Sequence, residues 1–209
     1  MRLARLGFIL LMIATFGVAR GVTAQDATPS TVFSEATCTV DPIDPDTYNA
    51  AIAAATPPVE QPIEAIGDPV SDEVATAVID TIVQSVSCTN AGDLGRLLAV
   101  IDPAYAPTLL GVPTEDIPAA VEAAAASSVS TDPATPLVDD VDGEGLVSQI
   151  LRITDIVDLG DGKVAAVTTI QREGFPPTTF TIYFQWSDEA DRYIITWYTF
   201  HPEDATPAA

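Results

Sequence analysis

The single histidine of this 209-residue chain, His201, falls at the edge of the C-terminal tail. A Ser-His-Asp or Cys-His catalyst needs an imidazole inside the fold, beside its nucleophile. That chemistry is therefore not expected. The same shortage argues against zinc, which takes several Cys or His ligands at defined spacing. No glycine-rich loop follows a strand pattern, so no phosphate cradle and no cofactor are expected. The run Asp139-Asp140-Val141-Asp142-Gly143-Glu144 imitates a calcium loop. Its glycine is misplaced for a helix-loop-helix site and no glutamate falls at the closing position. It reads as a solvated acidic loop. Cys38 and Cys88 are the only cysteines. In an oxidising compartment an even pair forms a disulfide. The alternative is two buried thiols. A bridge would close a loop of about 50 residues and contribute ~4 kcal/mol in the chain-entropy account.

One carboxylate stands out by its neighbours. Asp161-Gly162 is a two-residue hairpin signal, and with these as turn residues Asp155 faces Thr168, Ile153 faces Ile170 and Val157 faces Ala166. Strict alternation then puts Asp155 and Thr168 in the middle of a face otherwise made of Leu151, Ile153, Val157, Leu159, Val164, Ala166 and Ile170. A carboxyl group among apolar neighbours has a raised pKa, as a general acid or base requires. The plainer readings are that Asp155 accepts a hydrogen bond from Thr168, or that a register slip of one turns it to water.

The elements that would position these groups fall in two halves. Asp44-Pro45 opens a short helix to about residue 55. Pro57-Pro58 ends it, and residues 57–69, with four prolines, read as an extended connector. A long helix follows from Asp68-Pro69 or Ser71. Val70, Val74, Val78, Ile82 and Val86 repeat every four residues, with Ala75, Ile79 and Val83 beside them. Asn90-Ala91-Gly92 stops it, Gly92 supplying the left-handed cap. Asp93 caps a second helix with Leu94, Leu97, Leu98 and Ile101 inward. A third runs from about 114 to 126. Beyond a Pro- and Asp-rich loop (130–144) the period changes to two. Four strands are expected near 146–158, 163–172, 178–186 and 192–200. Helices followed by an antiparallel meander make an α+β fold.

Both ends of the chain have a different character. Arg2 and Arg5, the apolar run Phe8 to Ala19 and the small-residue pattern Val22-Thr23-Ala24 read as a cleaved signal peptide (1–24), with an uncleaved membrane anchor as the alternative. Cleavage there would remove Arg2, Arg5 and Arg20 from the eight basic residues, leaving five against 30 acidic ones. The expected exported chain is thus strongly anionic. It repels nucleic acid, whose binding rests on Lys and Arg at phosphates, and anionic membrane surfaces. Residues 25–69 form an acidic Pro/Ala/Thr-rich extension containing the short helix, 70–201 the folded domain, and 202–209 a tail without folding capacity.

The run Ser87-Cys88-Thr89-Asn90-Ala91-Gly92-Asp93-Leu94, with Leu97-Leu98 after it, resembles the opening of the nuclear transport factor 2-like superfamily, which includes the SnoaL-like cyclases and the ketosteroid isomerases. The match covers about residues 70–201. It implies three N-terminal helices packed in the concave face of a curved four-stranded antiparallel sheet, ending in an aromatic strand as at Tyr193 to Phe200. It also implies a cone-shaped pocket between sheet and helices, for a small apolar ligand or, with Asp155 as base, for proton transfer on an apolar substrate. The Cys-bearing extension before residue 70 departs from typical members. In the last strand both faces are apolar or aromatic, which means cover on both sides. The resemblance implies a homodimer through the sheet; the alternative cover is the chain's own Pro-rich extension. No motif of any one enzyme of the superfamily is present, so the leading expectation is a secreted, non-catalytic ligand-binding domain. A pocket enzyme and a protein-interaction module are the alternatives.

Overall fold

The structure is a computed structural model and describes residues 38–129 and 147–201. The segment expected to be a signal peptide (1–24), the leader to residue 37, the acidic run 139–144 and the tail from 202 lie outside the described residues. The order of elements is helix α1 (Pro45–Ala54), strand β1 (Asp68–Pro69), helices α2 (Asp72–Asn90), α3 (Leu94–Leu98), α4 (Ala106–Leu110) and α5 (Ile117–Val129), and strands β2 (Ser148–Gly160), β3 (Lys163–Arg172), β4 (Thr178–Ser187) and β5 (Arg192–Phe200). The strands form one antiparallel sheet in sequence order.

Local chemistry explains the helices. Asp44 accepts a hydrogen bond from the Thr47 amide at 2.9 Å, and Pro45 follows it, so α1 starts where the sequence predicts. Ser71 caps α2, and Asp72 and Glu73 lie in its positive first turn. Gly92 takes φ 69° after α2, and Asp93 caps α3 through the Arg96 amide at 2.9 Å. The four-residue stripe is buried as expected: Val78 and Ile82 have no exposure and Val86 little. With Ile153, Ala166, Ile182, Phe184 and Ile195 they form the core between α2 and the sheet.

Two features of the expected architecture are corrected. The helical part holds more than three helices: besides α1 there is α4, which carries Pro107 in its first turn and ends on Gly111 at φ 62°. α3 ends at Leu98, short of the Asp102-Pro103 break expected to close it, and helical structure resumes beyond that break because Pro107 stands where a missing N–H costs nothing. The sheet has five strands, not four. The fifth, β1, comes from the end of the extension and pairs Asp68 with Asp158 and Pro69 with Val157. Pro69 is tolerated there because β1 is an edge strand.

The β2–β3 register also differs from the expectation. Asp161 and Gly162 do form the turn, at φ 54° and 72°, and Gly160 pairs with Lys163. Three bulges each add one residue to β2, and the two between the turn and Thr168 make its partner Ile153, not Asp155. The strand lengths agree: 13 residues in β2 against ten in β3. A bulge reverses the face of every residue beyond it. Ile150 and Ile153 therefore both reach the core, and Val157 passes to the other side.

That other side, the back of the sheet, is covered by the chain itself. The connector after α1 crosses it as an extended strap. The Thr199 hydroxyl donates to the Gln61 carbonyl at 3.0 Å, the Tyr183 hydroxyl to Pro62 at 2.6 Å, and the Thr181 hydroxyl to Ile63. The strap passes into β1 at Gly67, where a β-carbon would lie 2.1 Å from the Asp158 carbonyl oxygen. Only glycine fits that crossing. Ala165, Thr181 and Tyr183 are consequently buried on a face with no helix over it.

Candidate functional site

The disulfide is present: Cys38 and Cys88 are joined across 50 positions. It ties the start of the described chain to the last turn of α2. The Thr39 amide donates to the Gln84 side chain at 2.8 Å, and the Ile43 amide to the Gly95 carbonyl at 3.2 Å. These contacts bring Ile43 and Asp44 beside α3. A second anchor is Tyr48, whose buried hydroxyl donates to the Ile101 carbonyl at 3.0 Å. Burial, followed by the nearby Asp102 charge, pushes the Tyr48 phenol well above its usual range. The Thr47 hydroxyl and amide hold the Asp44 carboxyl below its ordinary value.

Beyond Ile101 the chain joins the sheet's outer edge. Ile101 forms a parallel bridge with Ile195, the Asp102 amide donates to the Ile195 carbonyl at 2.8 Å, and the Ile195 amide to Val100 at 2.8 Å. Between α1, this edge segment and the β4–β5 turn lies a cleft of about 310 Å³. Ile43, Tyr48, Ala51, Leu98, Ile101 and Ile194 line it, with Asp44, Thr47, Ser187 and Glu189 as polar members. Its size is at the lower end of small-molecule sites. A second, more open groove of about 710 Å³ runs between Glu60–Ile63 of the strap and Trp197–Phe200 of β5.

Asp155 and Thr168 are not brought together. Asp155 lies in a β2 bulge at φ 51° and is exposed to solvent. A short polar side chain tolerates that left-handed conformation. Thr168 is fully buried on the core side of β3, and its hydroxyl has no hydrogen-bond partner among the described residues. Neither residue lines either of the two clefts. The apolar surroundings expected for Asp155 are therefore not built around it.

His201, set aside as a catalytic base, touches the strap site: its Nε2 is 2.8 Å from the Thr181 hydroxyl. The residues of the 310 Å³ cleft were not singled out from the sequence. The Tyr48/Ile52 spacing marks a helix, but the cleft arises where three distant segments meet, and no local pattern records that. Among the described residues no group of three or more His, Cys, Asp or Glu could hold a metal ion, and no helix is long and apolar enough to cross a membrane.

Comparison with known proteins finds no matching family model, no matching curated sequence and no matching solved structure.

Proposed function

We propose that this is an exported, non-catalytic domain that binds a small apolar molecule in the cleft between α1, the Leu98–Pro103 segment and the β4–β5 turn. The observation that carries the reading is the lining of that cleft: an apolar floor of Ile43, Tyr48, Leu98, Ile101 and Ile194, with two carboxylates, Asp44 and Glu189, among its polar members. Apolar walls with few polar groups are what a small-ligand site needs. The carboxylates disfavour an anionic ligand and accept a neutral or cationic end. Export is supported by the disulfide and by the signal-like first 24 residues. The helices-then-meander order and the Asn90–Asp93 break support a place in the nuclear transport factor 2-like superfamily. In this reading the ligand sits outside the cone between sheet and α2, because Val78, Ile82, Ile153 and Phe184 pack that space. The strap over the back of the sheet takes the place the homodimer would occupy, so the reading includes no dimer through that face.

Native mass spectrometry of the purified chain tests this, together with titration by a neutral apolar fluorophore. Ala51→Phe, which projects a ring into the cleft, is expected to abolish probe binding while leaving the far-ultraviolet circular dichroism unchanged. Equal binding by the folded variant and the native chain would discard the cleft as the site.

A further inference from the structure

The strap lies on the surface and is held to the sheet mainly through its backbone. Three successive carbonyls, of Gln61, Pro62 and Ile63, accept from side-chain hydroxyls of Thr199, Tyr183 and Thr181. Its own apolar side chains point largely away: Val59 is 77 % exposed and Ile66 88 %. The strap is thus recognised through its backbone, which forms no helix and no ladder and bends at Ile63–Glu64, on a surface carrying hydroxyl donors and Trp197. Those are the elements by which grooves read proline-containing extended peptides. The open 710 Å³ groove beside it, along Trp197–Phe200, leaves room for a ligand with larger side chains than the strap's.

We infer that the back of the sheet is a docking groove for an extended, proline-containing peptide of another protein, and that residues 59–66 occupy it as an internal ligand that such a peptide displaces. The strap can leave without carrying the rest of the fold with it. The disulfide at Cys38 anchors the chain before it and the β1–β2 pairing anchors the chain after it. Tethering makes the strap a strong local competitor, so the native chain binds peptide in trans weakly. The net charge of −22 selects against acidic partners and favours a neutral or basic segment.

The probe is a synthetic peptide of residues 57–66, with Glu60 and Glu64 changed to Gln. The receptor is the full chain with residues 59–66 replaced by a Gly/Ser linker of equal length. Binding is followed by tryptophan fluorescence and calorimetry. The expected result is saturable binding at least tenfold tighter than to the native chain, reduced at least tenfold by Tyr183→Phe with Thr181→Val in the linker background. A folded, disulfide-bonded linker chain that shows no saturable binding at millimolar peptide overturns the inference. So does binding that the hydroxyl substitutions leave unmoved. Should the linker chain not fold, a glutamate-specific protease on the native chain takes its place. Cleavage after Glu60 or Glu64 faster than global unfolding, leaving pieces joined by Cys38–Cys88 that then bind the probe, upholds the inference. Cleavage only on global unfolding, or a nicked chain that ignores the probe, overturns it.

Discussion

The two faces of the sheet are both buried, by opposite means. The helix-covered face is closed by apolar area: Val78, Ile82 and Val86 of α2 against Ile153, Ala166, Ile182 and Phe184. The strap-covered face is closed by a single extended chain and three hydroxyl-to-carbonyl bonds. Burial of a large apolar side chain contributes about 1.5–3 kcal/mol, whereas a neutral hydrogen bond contributes a net of only about 0.5–1.5 kcal/mol, because the same groups bond to water in the unfolded chain. The first face therefore holds the fold together. The second is shut by contacts a competing chain can reproduce, which makes it the better place for recognition.

Substitutions should separate the two faces. The largest effect is expected on the helix side, where Ile82→Ala removes a fully buried side chain and should cost about 2–5 kcal/mol in denaturant unfolding. Gly67→Ala should be intermediate. Its new β-carbon meets the Asp158 backbone at 2.1 Å, so the strap must shift, at a cost of about 1–3 kcal/mol. Hydrogen exchange should show that shift around residues 61–67 while α2 keeps its protection; equal loss in both would mean the faces are not separable. Tyr183→Phe should be smallest, about 1 kcal/mol. It also sharpens a pH effect. Burial raises the phenol pKa of Tyr183, and also those of Tyr48 and Tyr198, above the usual 10.0. The unfolded chain then ionises first. Stability from these groups is complete below about pH 10 and is lost as pH rises through the folded values. Tyr183→Phe should show a shallower loss between pH 9 and 11 by the same unfolding measurement. An identical pH slope would show that the Tyr183 phenol contributes nothing to it.

Much of the fold was legible in local pattern. The four-residue stripe from Val74 to Val86, the Asn90–Gly92 stop and the Asp161-Gly162 turn stand where periodicity and turn chemistry put them, though Val70 falls before the helix, and the strands from 163–172 onward agree within a residue. Asp155 shows where legibility ended. Alternation counted back from the turn is right at Gly160 and Lys163, then fails at each bulge in β2. Bulges answer to the curvature of the whole sheet, and the residues that carry them bear no distinctive type. The cleft was illegible for a related reason: Tyr48, Leu98 and Ile194 meet only after α1, the edge segment and β5 have packed.

By itself, then, the sequence determined what short-range physics governs: helix and strand periods, caps, tight turns, the strong excess of acidic residues, and the even cysteine pair. Only the tertiary structure decided which side of β2 each residue faces, which segment covers the back of the sheet, and where a cleft remains. Those outcomes depend on contacts between residues tens to more than a hundred positions apart, such as Thr181 with Ile63. Their energies are set by mutual fit, which no stretch of the chain carries alone.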